Sequence, residues 1–501
     1  MRDLIFVSLE AWDEIWRRNQ FLCDELARRF PKSQIVFVAR PHFLPVLLRQ
    51  LFAARRGAGL RALREALFKR FRTLPDTPNI CVYTPLRWFP NPIPGAKRWN
   101  ERAMARGIAR AARKARICDP LLWLNPPDSG YLIGELGERG VVYDITDDWE
   151  LAAPVGPRRE RIAAQDRELC RRADLTIVCS QALFDSRRGV ARHTVLLPNG
   201  VNANHYLREG KPDPRSPGFF ALNGTFEAAP QRGHFIATED TENTQRNTEE
   251  NSIDKKQLNA SLSSSVKSSV SSVAMHGAWA RPVFGYTGSL HAERIDMELV
   301  ERLAREFPHG TVALVGPQYF TDDSLARLLE KYPNIQAPGA IAYSQIADVM
   351  ANFDVCIVPH LRSEFVESLN PIKLWEFLAC GKPIVATDVA GFRDFPRLVR
   401  LASDAPAFLD ACRDALQEVN ACQRLEEAAN PNSHTIELGM VNLDQSCLME
   451  ERQMQARQHS WSSRVDNLLE TFRASGWDAP ELRPTQAPSL QIVGGEGEGA
   501  R

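Results

Sequence analysis

Short apolar runs alternate with longer runs of helical character along much of this chain, and this alternation restricts the folds open to it. In the first 205 residues, strands are predicted at 4–9, 34–39, 121–124, 141–145, 175–179 and 194–197, and helices at 16–30, 98–115 and 158–172. Strands and helices that alternate in this way form βαβ units, in which helices cover the faces of a parallel sheet. The sequence therefore predicts an α/β fold.

The same rhythm returns after a long polar segment. Strands are predicted at 283–286, 311–315, 355–358 and 383–386, and helices at 297–307, 344–351, 371–379 and 461–472. Residues 206–281 are rich in Ser, Thr, Asn, Glu and Gln, and such a segment buries too little apolar area to offset its ordering entropy. We therefore expect two α/β lobes, residues 1–205 and 282–474, joined by a disordered linker. A polar insertion at about 428–451 and a disordered tail at 475–501 complete the organisation.

The charges of the chain are divided unequally. The 501 residues carry 62 basic and 62 acidic side chains, yet residues 1–200 hold 34 basic against 22 acidic ones, a net charge of +12. Such asymmetry indicates an anionic partner for the basic half. The ten cysteines contain no CxxC pair, no basic leader precedes an apolar stretch, and no 18-residue window is apolar and uncharged. These features predict reduced thiols in a cytoplasmic protein.

The sharpest local signal is the segment at 368–387, SLNPIKLWEFLACGKPIVAT. Asn370 is a favoured N-cap and Pro371 suits the first helical position, so a helix is predicted to begin there and to end at Gly381. Its start follows the strand at 355–358, at the edge where parallel sheets bind ligands. Lys373 and Glu376 lie on one face, as expected for a lysine that holds a diphosphate and a carboxylate that holds ribose hydroxyls. The alternative is a weak intrahelical surface pair.

This segment resembles the C-terminal-lobe signature of family 4-type bacterial glycosyltransferases of the GT-B fold, in the branch with S-x-N-P-x-K-x-x-E. Further similar segments occur in the family's order: WRRNQFL (16–22), YDITDDWE (143–150), ADLTIVCSQAL (173–183), LLPNGVN (196–202), FGYTGSL (284–290) and FDVCIVPH (353–360). The resemblance covers most of residues 1–205 and 282–400. It implies two Rossmann-like lobes that face a cleft, with a nucleotide sugar on the C-terminal lobe and the acceptor on the N-terminal lobe.

The resemblance also implies roles for single residues. Glu376 matches the second acid of the family's E-x7-E element, which holds the ribose, whereas Ser368 stands where the first acid is expected. That difference changes the contact to the donor sugar. Lys373 and Arg294 are the candidates for the diphosphate. The remaining candidates for donor binding are the Gly288-Ser289 backbone, Arg362, Ser368 and Asn370.

The chemistry expected of such a site needs no metal and no cofactor besides the nucleotide sugar. Lys373, Arg294 and the helix N-terminus would stabilise the negative charge that builds on the departing diphosphate. Asp147 or Asp148, after the strand at 141–145, would orient or deprotonate the acceptor. The alternative is that an aspartate there caps the next helix or pairs with an arginine. The resemblance implies retention of anomeric configuration.

Residues 55–72 form a basic segment in which Leu60, Leu63, Leu67 and Phe71 recur at helical spacing. An amphipathic helix of this composition suits an anionic membrane surface. The alternative is a helix that packs inward and leaves its basic face solvated. No nucleic-acid-binding signature accompanies the charge.

The sequence therefore predicts a glycosyltransferase at the cytoplasmic face of the membrane. It would move a sugar from a nucleotide diphosphate donor to a cell-envelope or exopolysaccharide acceptor, lipid-linked ones included. Two alternatives stay open: a catalytically silent nucleotide-sugar-binding partner and a GT-B nucleotide-sugar epimerase.

Overall fold

The computed structural model describes residues 2–53, 63–64, 67–207, 279–320, 322–428 and 444–474. An eight-stranded sheet and a six-stranded sheet organise two lobes, which confirms the predicted α/β architecture. The strands of the N-terminal lobe are β1 (Leu4–Val7), β2 (Ile35–Val38), β3 (His42–Phe43), β4 (Phe71–Thr73), β5 (Ile80–Tyr83), β6 (Leu86–Arg87), β7 (Leu121–Leu124), β8 (Gly140–Ile145), β9 (Leu175–Val178) and β10 (Thr194–Leu196). The main sheet has the order β10-β9-β8-β7-β1-β2-β5-β4, and β3 pairs separately with β6.

The C-terminal lobe contains the strands β11 (Val283–Thr287), β12 (Thr311–Val315), β13 (Ile335–Gly339), β14 (Val355–Val358), β15 (Ile384–Thr387) and β16 (Val399–Ala402). They form a parallel sheet in the order β13-β12-β11-β14-β15-β16. This is the Rossmann arrangement, in which strand order reverses between the first and fourth strands and leaves a ligand crevice at their carboxyl ends.

Helices connect the strands and cover the sheets. Before the linker they are α1 (Arg18–Arg29), α2 (Leu44–Ala53), α3 (Ala96–Lys114), α4 (Trp149–Ala152), α5 (Pro157–Arg172), α6 (Gln181–Arg187) and α7 (Ala203–Tyr206). After the linker they are α8 (Met297–Glu306), α9 (Ser324–Lys331), α10 (Tyr343–Ala351), α11 (Glu364–Glu367), α12 (Ile372–Cys380), α13 (Ala405–Ala428), α14 (Asp444–Gln458) and α15 (Trp461–Ala474). Because helices lie on both faces, central strands such as β1 and β14 are buried at every residue.

The last helix does not stay with the lobe to which the sequence assigns it. Trp461, Leu468 and Phe472 of α15 are buried in the same apolar cluster as Phe6 of β1. The indole of Trp461 stacks on the Phe21 ring of α1 at a centroid distance of 5.1 Å. The chain thus returns to the N-terminal lobe after α14, so the predicted boundaries 1–205 and 282–474 do not coincide with the two packed cores.

Several expectations fall on parts of the chain that the structure does not describe, namely 208–278 of the linker, 429–443 of the polar insertion and the tail 475–501. In the predicted membrane segment, residues 55–62, 65 and 66 are likewise outside the described residues. Phe71 begins strand β4, which pairs antiparallel with β5, so the predicted helical stripe does not extend to Phe71. Among the described residues, no helix is both long and apolar enough to cross a membrane.

Candidate functional site

The candidate site lies where the carboxyl ends of the two sheets meet. Strand order reverses between β11 and β14 in one lobe and between β1 and β7 in the other. The loops after β11 and β8 touch across the gap, because the Arg294 guanidinium lies 3.2 Å from an oxygen of Asp147. The switch points of both sheets therefore border one cleft, as expected of ligand sites in open α/β sheets.

Lys373 projects into this cleft from the first turn of α12. Its side chain is buried, and its Nζ donates to the Tyr286 hydroxyl at 2.9 Å and lies 3.5 Å from Nε2 of His360. Burial, reinforced by the positive charge of Arg294, lowers the pKa of Lys373 to about 7. The same two cations and burial hold the pKa of His360 well below its usual range, so that imidazole is neutral. The ammonium is thus held by neutral groups, an arrangement that favours an incoming anion.

Two glycines make room for this lysine. Gly288, directly after β11, has a φ of +134°, and a Cβ there would lie 3.1 Å from Cε of Lys373. Gly316, after β12, has a φ of +151°, and a Cβ there would lie 1.9 Å from the Gly288 carbonyl oxygen. Both positions need a residue without a side chain. The Gly288 amide donates to the Val315 carbonyl at 2.9 Å, so one of the two backbone amides predicted to contact phosphate is already engaged within the lobe.

Arg294 brings the second cation to the cleft. Its guanidinium pairs with Asp147 and lies over the Phe365 ring, 5.1 Å from the centroid. Burial raises the pKa of Asp147, while Arg294 and Lys373 oppose that rise. The imidazole of His291 stacks on Tyr319 at 4.5 Å, and burial with the two cations lowers its pKa to about 4. The cleft therefore presents two cations, one partly buried carboxylate and a neutral histidine.

Glu376 lies one turn after Lys373 and is held by Tyr206 of α7, a short helix that packs in the core of the C-terminal lobe. The Tyr206 hydroxyl donates to its Oε1 at 2.8 Å. Burial raises the pKa of the Glu376 carboxyl, and the bond from Tyr206 opposes that rise. Lys373 and Glu376 therefore lie one turn apart on one helix, and the carboxylate is half-buried and held in place.

The two aspartates predicted as catalytic candidates have different surroundings. Asp148 accepts a hydrogen bond from the Leu151 amide as the N-cap of α4, and its other oxygen pairs with Arg187 at 3.2 Å. Arg187 also pairs with Asp166 at 2.7 Å. Both forms of the alternative are therefore present: Asp148 caps a helix, and Asp147 pairs with an arginine, Arg294, across the cleft.

The segment before α12 connects the lobes. Asn370 was expected to cap the helix, but Pro371 occupies the N-cap, and Asn370 Oδ1 instead accepts from the Asn199 amide at 2.8 Å. The Ser368 hydroxyl donates to the Phe365 carbonyl at 2.7 Å, and its own carbonyl accepts from Ser180 at 2.6 Å. These tertiary contacts replace the local cap, and they turn the Ser368 side chain back onto α11.

Arg362 lies apart from this group. It is exposed, and its guanidinium donates to the carbonyl of Ala402 at 3.1 Å. The structure thus brings Gly288, Arg294, Lys373, Glu376 and Asp147 to one cleft and leaves Arg362 on the rim. Within the described part of the chain, no three His, Cys, Asp or Glu side chains lie close enough together to hold a metal ion.

Sequence reasoning left three residues of the cleft without an assigned role. Tyr286 lies within strand β11 and His360 lies two residues after β14, and both contact the Lys373 Nζ. Glu10 follows β1; its Oε1 lies 3.6 Å from Arg17, and its buried Oε2 has no hydrogen-bond partner among the described residues. Burial, with a contribution from Asp147, raises the pKa of Glu10 to about 7. The signal for Glu10 was its position after the first strand of the sheet.

Comparisons with known proteins agree with this geometry. Residues 281–418 match the family model described as Glycosyl transferases group 1. Over 107 residues the chain is 30% identical to the "Putative teichuronic acid biosynthesis glycosyltransferase TuaH" of Bacillus subtilis (strain 168). That match covers 21% of this chain and 27% of the relative, so the chain spans about a quarter of the curated protein.

Solved structures share the fold over nearly the whole chain. Sucrose-phosphate synthase of Thermosynechococcus elongatus superposes with a TM-score of 0.57 at 14% identity, covering 94% of this chain and 98% of that one. HepE of Anabaena, solved with UDP-glucose, superposes with a TM-score of 0.53 at 15% identity and covers 94% and 100%. The architecture is therefore GT-B, two Rossmann-like lobes about a cleft.

Proposed function

We propose that the protein is a glycosyltransferase that uses a nucleotide diphosphate sugar. The observation that carries the proposal is Lys373, a buried cation whose Nζ contacts the neutral groups of Tyr286 and His360, with Arg294 nearby. A buried charge without a counter-ion is costly, so this position favours an anion. The family match of residues 281–418 and the UDP-glucose bound by HepE support a nucleotide diphosphate as that anion.

The cleft residues suit the departure of a nucleoside diphosphate. When the bond between the anomeric carbon and the diphosphate oxygen breaks, its electron pair goes to the diphosphate, and Lys373 and Arg294 stabilise the added charge. One such preorganised donor is worth about 3 kcal/mol of barrier. Asp147 would orient the acceptor hydroxyl and take its proton as the acceptor oxygen forms the new bond to the anomeric carbon. We also propose retention of configuration and metal-independent chemistry, on the resemblance of the SLNPIKLWE segment alone.

For the acceptor we propose a cell-envelope or exopolysaccharide glycan, including lipid-linked forms, and for the location the cytoplasmic face of the membrane. The name of the B. subtilis relative, which refers to teichuronic acid biosynthesis, supports a polysaccharide acceptor. The net charge of +12 over residues 1–200 supports an anionic partner for the N-terminal lobe.

A second candidate is a nucleotide-sugar-binding protein without transfer activity. The observation that favours it is Ser368, which replaces an expected acid and whose hydroxyl is turned to the Phe365 carbonyl. In that case the Lys373 site would bind the donor, but the contact to the donor sugar would be missing.

Thermal unfolding with UDP, GDP, ADP and dTDP, and with their glucose conjugates, tests the site. A ligand at 100 times its Kd adds about 2.7 kcal/mol of stability. Lys373→Met should abolish that gain in stability. The control Lys331→Met should keep it, because Lys331 is an exposed lysine of α9 that pairs with Glu301 of α8. Stabilisation by none of these ligands would refute both candidates. Incubation of the protein and a nucleotide sugar with a membrane extract then separates an enzyme from a silent binder, because only an enzyme transfers the sugar to the extract or hydrolyses the nucleotide sugar. Conversion of the nucleotide sugar to its epimer without any acceptor identifies an epimerase.

A further inference from the structure

An exposed cluster of large apolar side chains lies outside the cleft, between β6 and the start of α3. We call this cluster the aromatic ridge; it consists of Trp88, Phe89, Ile93 and Trp99, whose exposed fractions are 38%, 43%, 49% and 47%. Trp99 contacts both other rings, with centroid distances of 5.9 Å to Trp88 and 5.1 Å to Phe89. The rings therefore form one continuous apolar surface rather than scattered exposed residues.

The ridge is held in its exposed position by a buried amide. Asn100 is 1% exposed, and its Oδ1 accepts from the backbone amides of Trp88 and Phe89 at 3.0 and 3.2 Å. Its Nδ2 donates to the Phe89 carbonyl at 2.8 Å. Because these bonds fix the backbone from below, the two rings point outward as a built feature of the fold.

A second apolar element follows the strand that pairs with β6. Strands β3 and β6 pair in parallel, so the segments that follow them leave the ladder at the same end. The segment after β3 is helix α2, with the sequence LPVLLRQLFA, and its Leu48 is 40% exposed. Farther along, the Phe68 ring is 80% exposed. Six of the nine large apolar side chains that are exposed in the described part of the chain thus fall between residues 48 and 99.

Positive charge is concentrated in the same stretch of the sequence. Residues 40–116 contain 18 Lys and Arg against 3 Asp and Glu, a net charge of +15 that exceeds the whole +12 of residues 1–200. Lys97 and Arg98 are exposed within the ridge itself, and the nearest carboxylate to Lys97, that of Glu101, is 4.0 Å away. The Arg87 guanidinium lies over the Phe43 ring, 4.3 Å from its centroid.

We propose that the aromatic ridge docks on the surface of an anionic phospholipid bilayer. Tryptophan rings favour the interface between hydrocarbon and water, and Lys and Arg beside them attract anionic headgroups by roughly 1 kcal/mol each. The segments that carry the ridge and α2 follow the carboxyl ends of β5 and β2. Both therefore leave the sheet at the edge that borders the cleft, which places the open side of the cleft toward the lipid. The proposal deepens the membrane location proposed above and rests on that part of it. Because vesicle binding and nucleotide binding are measured separately, failure of this proposal is distinguishable from failure of the proposed transferase function.

Co-sedimentation of the full chain with vesicles tests the proposal. Phosphatidylcholine vesicles with 30% phosphatidylglycerol should bind the protein, and pure phosphatidylcholine vesicles should bind it at least tenfold more weakly. The double variant Phe89→Ser/Trp99→Ser should lose about tenfold or more in partitioning. A matched control is Val155→Ser, which removes an apolar side chain that is 88% exposed outside the ridge and should bind as the unaltered protein does.

Charge reversal provides a second variant. It changes only exposed side chains, so the packing of the core is unaffected. Lys97→Glu/Arg98→Glu should reduce binding to anionic vesicles about tenfold or more and should weaken its dependence on salt. Arg171→Glu, at an exposed arginine of α5, serves as the control. Absence of binding to anionic vesicles, or binding that neither double variant changes, would overturn the proposal. Sedimentation velocity without lipid tests whether the ridge instead binds a second copy of the chain. A dimer that the ridge variants dissociate would assign the ridge to that contact and would likewise overturn the membrane proposal.

Discussion

Replacing Lys373 by methionine should make the ligand-free protein more stable while it removes nucleotide-sugar binding. Methionine has a similar length and no charge, so it fills the space beside Gly288 without the cost of a buried ammonium. The depression of the Lys373 pKa from the usual 10.5 to about 7 corresponds to about 5 kcal/mol between its charged and neutral forms. That figure is the upper bound of the gain in the free energy of unfolding, because the substitution also removes the hydrogen bond that the lysine makes to a neutral group.

The pH dependence gives this prediction its sign. With a folded pKa of about 7 and an unfolded pKa near 10.5, the unfolded chain binds more protons than the folded one between these values. The unaltered protein therefore gains stability from Lys373 as the pH rises from 7 toward 10.5. The advantage of Lys373→Met should then be largest near pH 6 and smaller by about 2 kcal/mol at pH 8.5.

Urea unfolding of both proteins without ligand, at pH 6, 7 and 8.5, measures this difference. Lys331→Met removes an exposed lysine paired with Glu301 and should change stability by less than about 1 kcal/mol at every pH. A Lys373→Met protein that is less stable than the unaltered one at pH 6, or a difference that does not vary with pH, would refute the reasoning.

Three further outcomes follow from the same cleft. Titration calorimetry should show UDP-glucose binding up to about 25-fold weaker at pH 8.5 than at pH 6.5, because the charged fraction of Lys373 falls across its pKa of about 7; equal affinity at both pH values would contradict this. Asp147→Asn should strengthen donor binding, since it frees Arg294, and should slow transfer at least tenfold. Asp148→Ala should lower the free energy of unfolding by about 2–3 kcal/mol, because a helix cap and an ion pair are lost, and should leave donor affinity unchanged. Gly316→Ala should lose donor binding or unfold, because its Cβ would overlap a backbone oxygen of the neighbouring loop, while Gly189→Ala, with open space around it, should do neither; a fully active Gly316→Ala protein would show that the two loops separate freely.

The elements that could be predicted from the sequence are those set by local pattern. The buried strands β1, β7, β12 and β14 lie within one or two residues of their apolar runs, since strands covered on both faces are apolar throughout. Lys373 could be predicted as well, because its position depends on a helix start after a strand. These features need only a window of about twenty residues.

The rest depends on residues far apart in the chain. Asn370 obeys the local rule for a helix cap, but the amide of Asn199, 171 residues away, takes its side chain instead. Phe71 completes a helical stripe in the sequence, yet pairing with β5 makes it part of a strand. The sequence of α15 is that of an ordinary amphipathic helix, and it does not indicate that the helix packs against α1. Long-range pairing decides all three, and a single sequence does not display it.

The return of the chain to its first lobe has a mechanical consequence. In the part of the chain that the structure describes, the backbone crosses between the lobes at two places, near residues 201 and 460. These crossings lie side by side, because Val201 and Ser460 form a parallel bridge and a Cβ on Gly200 would lie 3.0 Å from the backbone of His459 and Trp461. Paired crossings of this kind act as a two-stranded hinge, which restricts relative motion of the lobes to a swing about one line. The same arrangement makes the N-terminal lobe incomplete without residues 461–474. Because Val201 precedes the linker, a cut within the linker would leave both crossings intact.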